Sequence, residues 1–564
     1  MQSRMNKLGP PSLVAAVYIV AVVFTKAHFM ADTPGYVFSI LSYAGLGENP
    51  LVADFRSENG FWDFGHLLWR PLGFALFKVF KPLSSLVVGP TAFYNVLFQL
   101  MAANFVAGLL SALLLYFLLD KLTGRRRLAV FVAILFIFSH GFLNFTQTGS
   151  SYIVGLTFLI AALYLLIKDK GKLTRRTAIC AGLSGAAAVS LWMPYLLVIP
   201  GTIIAPFLLF DLDRRQKLSV LWAAAAFLVA IGTTYLIVMA AVGVHTPTDL
   251  RDWISISSHG VRTSGLARAV FGLPRSFIHM GNDGVLFKRF LLKDPFNPVT
   301  IIDLVRLSLW KLMLFYLALG ALILSLLVSS SRRTLWLLLA TAGPLIVLAI
   351  KFDGGAVERY LPIYPVLFIS LAYSLNATRA PRVLQALLVL FFVAAGLANS
   401  TAMAGFVLDR ENQRTAQRVQ EIMPQLKPDS WLVTTHLQDD LVNFQASFPF
   451  HPVNRQHTYH VYSLVNLNND QAAHWREEFA STVEETWAKG GDAWLSQRLF
   501  SAKPEAVWNW VEGDDPRVAW QHIYQFFSRF ETGVVAGGDD GFVLLKQSET
   551  NEQLLNATLA SAHK

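Results

Sequence analysis

The sequence predicts a multi-pass α-helical membrane protein with about eleven transmembrane helices, followed by a soluble C-terminal domain of mixed α/β character. Three observations carry this. Of 564 residues, 54% are hydrophobic and only 15% charged, a balance that belongs to a membrane-embedded chain rather than to a string of soluble domains. Apolar runs long enough to cross roughly 30 Å of hydrocarbon recur up to residue 405 and then stop. The charge divides at the same place: 13 Lys and Arg stand against 21 Asp and Glu beyond residue 405, and 34 against 16 before it. The basic excess therefore belongs to the membrane part, where loop sidedness accounts for it and no nucleic-acid partner is expected.

The runs lie at about 11–30, 92–119, 128–143, 150–167, 177–192, 194–210, 218–243, 306–329, 334–350, 360–376 and 383–405, with 177–210 read as two helices hinged at "WMPYLLVIPG". Arg4 and Lys7, "DKLTGRRR", "KDKGKLTRR", "DLDRRQK", "SSSRR" and "ATRAPR" fall in alternate connections, so one side of an eleven-span bundle collects them all. By the positive-inside rule that side is the cytoplasm. The N-terminus is then inside and the acidic tail outside. The first run lacks an obvious small-x-small cleavage site and reads as a retained helix.

Residues 1–405 thus form the membrane module, and 406–564 the extracytoplasmic domain. The first outward segment, 31–91, is too long for a connector and contains two amphipathic pieces, "YVFSILSYAGLG" and "HLLWRPLGFALFKVF", of the kind that lies along the interface. The second, 244–305, mixes aromatic residues with Arg262, Arg268, Arg275, Lys288 and Arg289. The third is the short "KFDGGAVERY". In the tail, "PDSWLVTTH" and "DDGFVLLKQ" read as strands, and "QAAHWREEFASTVEETWAKG" and "NQRTAQRVQEIM" as helices. His451, His457 and His460 read as incidental loop residues rather than a metal site, and the tryptophans of "AVWNWVEGDDPRVAW" as core rather than a sugar platform. His140 and His245 lie near outer ends of spans. Cys180, the single cysteine, excludes a disulfide framework and reads as a small buried apolar residue.

Three short stretches carry candidate chemistry. In "ADTPGY", Pro34 suits the first helical position and Thr33 is placed to cap, which leaves the Asp32 carboxylate at the interface. Ionisable groups beside hydrocarbon are costly and usually functional, and partial desolvation there would suit a general base. The competing reading makes Asp32 itself the cap. In "GFWDFGHLLWRPLG", Asp63, His66 and Arg70 follow at spacings of three and four and would share a helix face, either as a polar ridge towards an acceptor or phosphate or as an interfacial anchor. In "VERYLPIYP", Glu358 and Arg359 precede an apolar helix; Arg359 suits a phosphate and Tyr360 a stacking role, against the alternative of ordinary flanking charge.

An acidic residue just beyond the first span, a long first outer loop and the "ERYLPIYP" entry to a late span resemble the GT-C glycosyltransferases, membrane enzymes that use polyprenyl-phosphate sugars, such as the protein O-mannosyltransferases and the lipid A aminoarabinose transferases. "GHLLWRPLG" is similar to the His-containing, Pro-Leu-bearing piece of their first loop, although this chain has one Asp in place of an adjacent acidic pair and "HLLWRP" in place of a tight His-Pro. The resemblance covers about residues 1–405 and implies a GT-C-like fold. It also implies a polyprenyl-phosphate sugar donor and inverting transfer to an acceptor hydroxyl on a protein, lipid or glycan. Asp32 would then be the base, and Arg359 would hold the phosphate, assisted by Arg70 or a basic residue of 262–289. No cofactor is implied, and a monophosphate leaving group requires no metal. The rival readings are a transporter or flippase of a lipid-linked substrate, an anchored assembly or binding protein, and a glycan ligase or polymerase with a lipid-diphosphate donor.

Overall fold

A computed structural model describes residues 2–28, 30, 32–46, 61–170, 172–257, 265–280, 290, 298–329, 331–352, 354–405, 421–427, 430–434, 460–463, 475–501, 516–537 and 541–561. The membrane part contains α1 (Gln2–Phe24), α2 (Thr33–Tyr43), α3 (Trp69–Val88), α4 (Ala92–Thr123), α5 (Arg126–Ile137), α6 (His140–Phe145), α7 (Tyr152–Ile167) and α8 (Arg175–Leu191). It continues with α9 (Ile199–Leu209), α10 (Arg214–Ala241), α11 (Pro247–Ser257), α12 (Leu266–Phe277), α13 (Trp310–Val328), α14 (Arg332–Lys351), α15 (Tyr364–Asn376) and α16 (Arg382–Gly405). Each of the eleven expected runs coincides with one of these helices.

Length and hydropathy alone qualify six helices as membrane-crossing among the described residues: α3, α4, α10, α13, α14 and α16. Gly9–Phe24, Tyr152–Ile167 and Met193–Leu209 are apolar but shorter than a full crossing. Met193–Leu197 is a 3₁₀ turn before α9, and Glu358–Ile363 a 3₁₀ turn before α15, with Pro194 and Pro362 inside those turns. The appearance of α3 in this set differs from the expectation. The piece read as an interfacial amphipathic segment is a 20-residue helix apolar enough to cross. One of its faces is buried through Arg70, Gly73, Phe77 and Ser84, while Val79, Leu83 and Leu86 are exposed. A polar knot clamps it to α4: Ser84 Oγ donates to Asn95 Oδ1 at 2.5 Å, and Gln99 Nε2 donates to Ser84 Oγ at 2.8 Å.

One continuous apolar core runs through the bundle, from Tyr18 of α1 to Phe392 of α16. Small residues set its closest approaches. A methyl group on Gly182 would collide with the Ala223 carbonyl of α10, so the "AGLSGAAA" face of α8 lets two backbones meet. Cys180 corrects the expectation of burial: it is exposed on the opposite face of α8. At the basic end, Asp213 forms a capping box with Gln216, and Arg333 Nη2 bonds Asp211 Oδ1 at 2.8 Å.

The C-terminal part has the expected mixed character. A five-stranded sheet is ordered β2 (His460–Ser463), β1 (Trp431–Thr434), β3 (Ala493–Ser496), β5 (Phe542–Leu545), β4 (Thr532–Ala536). The first three strands are parallel and the last two antiparallel to their neighbours. Helices α17 (Trp475–Ala488), α18 (Pro516–Phe527) and α19 (Glu549–Ser561) complete it. Trp475, Phe479, Trp520 and Phe527 form its core, so the Trp520 indole is buried, as expected, with Nε1 donating to Ser501 O at 2.8 Å. His451, His457, most of "NQRTAQRVQEIM" and the "AVWNWVEGDD" stretch lie outside the described residues, and His460 begins β2.

Candidate active site

The segment that carries Asp32 leaves α1 and is tied at several points. Thr25 Oγ1 donates to Ala21 O at 2.7 Å and accepts from Gln147 Nε2 at 3.0 Å. The Lys26 N–H reaches Met403 O of α16 at 3.1 Å, and the His28 N–H reaches Asn144 Oδ1 at 2.9 Å. Beside it runs the loop between α6 and α7, "TQTGSS", residues 146–151, whose polar residues are all buried. Asn104 Nδ2 of α4 donates to Thr148 O at 2.8 Å and to Ser150 O at 2.6 Å. Gly149 is the meeting point: its N–H donates to Thr33 Oγ1 at 3.0 Å, and its carbonyl accepts from Trp69 Nε1 at 2.9 Å. A Cβ at Gly149 would lie 2.7 Å from Thr33 Cγ2.

Asp32 precedes α2 in the N-cap position, yet its side chain makes no capping bond. The cap reading therefore fails for Asp32. Thr33 does not cap either, because its hydroxyl is engaged with Gly149 and Ser150. The Asp32 carboxylate is exposed, whereas partial desolvation was expected. Its Oδ2 accepts from Tyr152 Oη at 2.7 Å and faces Tyr36 Oη at 3.4 Å. Tyr36 is buried, and that burial, followed by the Asp32 charge, pushes its phenol well above its ordinary range, so it stays protonated as a donor.

Asp63, His66 and Arg70 do converge, but around Asp63. Asp63 caps a 3₁₀ turn, Phe64–His66, by accepting from the Gly65 N–H at 2.9 Å. Its Oδ2 lies 3.1 Å from Arg70 Nη2 and 3.3 Å from His66 Nδ1. Asp63 and Arg70 are both nearly fully buried. The arrangement is a turn closed by an ion pair, where a continuous helical ridge was expected. Tyr36 joins it to Asp32: Arg70 stands 5.5 Å from the Tyr36 ring centroid, and His66 packs edge-on to that ring at 5.4 Å. The turn is held from outside by Trp253 Nε1 to Trp62 O at 2.7 Å and Tyr235 Oη to Phe64 O at 2.9 Å.

The "ERYLP" turn approaches from the other side. The Tyr152 ring packs on Trp192 at 4.6 Å between centroids, and the Arg359 guanidinium lies 5.8 Å from the Trp192 ring and 4.9 Å from that of Phe352. Arg359 is 7% exposed. Asp32, Tyr152, Trp192 and Arg359 thus form one file across the end of the bundle. Tyr360 does not belong to it. Its ring is buried, and its hydroxyl donates to Ala269 O at 3.0 Å and Gly354 O at 2.7 Å, which corrects the expected stacking role. Of the basic residues in 262–289, Arg275 packs near this turn through Nη1 to Gly355 O at 3.3 Å; Arg262, Lys288 and Arg289 lie outside the described residues.

His140 joins a group that spacing could not reveal. Its Nδ1 donates to Arg275 O at 2.9 Å, which leaves Nε2 to accept from His279 Nδ1 at 3.3 Å, and the His279 ring packs tilted against His28 at 4.1 Å between centroids. Burial, and then the neighbouring His140 and His28, push His279 down to about 2. Among the described residues no group of three His, Cys, Asp or Glu is arranged to hold a metal ion. The backbone N–H of His245 donates to Asp249 of α11.

The residues missed at sequence level are Tyr36, Tyr152, Trp192, Asn104 and the 146–151 loop. One signal was available: five polar residues and a glycine in a row between two strongly apolar runs.

No family model matches the sequence, and no curated protein matches it. Among solved structures, the chain is similar to the crystal structure of ArnT from Cupriavidus metallidurans bound to undecaprenyl phosphate. The TM-score is 0.53 at 11% identity, and the match covers 95% of this chain and 97% of that one. The likeness shows the fold, which is the GT-C type expected.

Proposed function

We propose that this chain is an integral membrane glycosyltransferase that moves a sugar from a polyprenyl-phosphate donor to an acceptor hydroxyl at the outer face of a bacterial-type inner membrane. The observation that carries the reading is the Asp32 carboxylate. It is exposed, it is not spent on helix capping, and it is held by two tyrosines at the same end of the bundle as a buried arginine. The fold is that of a protein crystallised with undecaprenyl phosphate, which adds support.

In this reading Asp32 takes the proton of the acceptor hydroxyl. The acceptor oxygen forms its bond to the anomeric carbon from the face opposite the phosphate. The carbon–oxygen bond to phosphate breaks, the electron pair leaves with the lipid phosphate, and the anomeric centre inverts. Arg359 stabilises the charge that develops on the phosphate, which is where a fixed cation lowers the barrier most. The pairing of Arg70 with Asp63 supports a different role for that residue, holding the turn that carries Tyr36's neighbours. A monophosphate leaving group requires neither a metal nor a cofactor.

The test compares wild type with Asp32→Asn in membranes supplied with a mixed pool of radiolabelled polyprenyl-phosphate sugars. Transfer of label by wild type alone, at equal expression and melting temperature, supports the reading. Equal transfer by both removes Asp32 as the base. No transfer by either variant, with lipid translocation in liposomes, replaces the transferase by a flippase.

A further inference from the structure

Resting on that reading, and deepening it, we propose that Tyr152 is a positioning residue. By holding Oδ2 of Asp32 it presents Oδ1 as the oxygen that receives the acceptor proton.

The argument begins with the tyrosine. Tyr152 is 2% exposed, although it is the first residue of a helix at the end of the bundle. Its ring is fixed on two sides, by Trp192 at 4.6 Å and edge-on by Phe145 at 5.1 Å. Its backbone carbonyl accepts from Tyr195 Oη at 2.6 Å, which anchors the first turn of α7 to the Met193–Leu197 turn. A side chain so confined has few rotamers left. Its hydroxyl is therefore delivered to one place, and that place is Oδ2 of Asp32 at 2.7 Å, a short bond for an O–H donor.

The other partner is unlike it. Asp32 is exposed, and its backbone conformation is that of a helix start without a side-chain cap. An exposed aspartate otherwise rotates about two bonds. The Tyr152 hydroxyl removes that freedom, and Tyr36, at 3.4 Å from the same oxygen, reinforces it weakly. Both donors converge on Oδ2, and among the described residues Oδ1 receives no hydrogen bond. Proton transfer requires the receiving oxygen within hydrogen-bond reach of the acceptor hydroxyl in one orientation, so fixing the carboxylate raises the fraction of encounters that react.

The experiment compares wild type, Tyr152→Phe and Tyr36→Phe, all purified as the full chain in nanodiscs. Both substitutions keep the ring and remove only the hydroxyl. With Tyr152→Phe the expected result is a fall in kcat of roughly 10- to 100-fold, the loss of one hydrogen bond to a charged group. The KM for the donor should be unchanged. Tyr36→Phe, whose bond is long, should lose less than about threefold. An independent readout is the carboxylate stretch of Asp32, isolated by infrared difference against Asp32→Asn; it should shift in Tyr152→Phe with or without turnover. An unchanged stretch would overturn the proposal, as would equal losses in the two variants. If wild type transfers nothing while the stretch shifts as expected, the transferase reading fails and the positioning of Asp32 by Tyr152 stands.

Discussion

The Asp63–Arg70 pair is the sharpest test of how this site is built, because two roles for Arg70 predict different numbers. If Arg70 reached a donor phosphate, its loss would fall on donor binding and leave folding nearly intact. The geometry instead puts its guanidinium 3.1 Å from Asp63 Oδ2, with side chains 3% and 6% exposed. A pair so removed from water is costly to break by halves. Removing one partner leaves the other charge buried, which costs about 3–5 kcal/mol, whereas replacing both with apolar groups of similar volume is near neutral. Asp63 also accepts from the Gly65 N–H, so its loss releases the turn, and Asp63→Leu should sit at the upper end of that range. Arg70→Met should cost about 3 kcal/mol. The double variant Asp63→Leu, Arg70→Met should then cost less than the sum of the single losses by at least about 1.5 kcal/mol. Thermal or denaturant melts of the four proteins in one detergent measure the cycle, and donor KM is read alongside. Additivity within about 0.5 kcal/mol would refute a coupled buried pair. A large rise in donor KM for Arg70→Lys at unchanged stability would return Arg70 to the phosphate.

Three further outcomes follow from the same region. Gly149→Ala places a methyl group 2.7 Å from Thr33 Cγ2 and 3.0 Å from Leu100 Cβ, so melting should report a loss of about 1–3 kcal/mol. Transfer should fall further than stability, because Thr33 is the neighbour of Asp32; activity matching wild type would count against a fixed loop. Asn104→Leu leaves the carbonyls of Thr148 and Ser150 without their buried donor, and a loss of about 2 kcal/mol or more is expected by the same melts. His279 has a folded pKa depressed to about 2 against an ordinary 6.5, so the unfolded chain binds more protons between those values. Its contribution to stability is present above about pH 6.5 and is lost as pH falls towards the folded value, with a slope of about 1.4 kcal/mol per pH unit. His279→Phe should flatten the acid side of a plot of Tm against pH; an unchanged slope would remove His279 from the titration.

The bundle was legible because hydropathy is a property of runs: each of the eleven apolar stretches coincides with a helix. The breaks were harder, since a 3₁₀ turn such as Glu358–Ile363 depends on where prolines meet neighbouring helices rather than on composition. Asp32 and Arg359 stood out as candidates because a charge beside an apolar run is conspicuous. Tyr152 could not, because a tyrosine at the end of an apolar helix reads as core or interface. Its hydrogen bond to Asp32 spans 120 positions, and no local pattern reports that. The spacing of Asp63, His66 and Arg70 correctly brought three side chains together. It could not say that they would satisfy one another instead of a ligand, because that depends on the burial supplied by α8 and α10. Tyr360 shows the converse. Its place beside Arg359 suggested a shared role, but adjacent residues on a 3₁₀ turn point in different directions, and its hydroxyl is consumed by two carbonyls.

The start of α2 explains how an aspartate in an N-cap position is left available. A helix start offers unsatisfied N–H groups, and an aspartate there normally accepts one of them. Here proline occupies the first turn and removes one donor, so the helix asks less of its neighbours. Thr33, the next candidate, is drawn away by the Gly149 N–H, and that bond depends on a loop whose glycine has no Cβ to hold α2 at a distance. The helix end still carries a partial positive charge, which favours a carboxylate beside it without claiming either oxygen. One oxygen is then claimed by Tyr152, on a helix fixed separately through Trp192 and Tyr195. Proline, threonine, glycine and tyrosine each remove one alternative for Asp32. Restoring an alternative should therefore cost activity even when the carboxylate itself is untouched. Pro34→Ala returns a backbone donor next to Asp32 and is the mildest such change: it should lower kcat at unchanged Tm, and a variant with unaltered kcat would break this chain of reasoning at its first link.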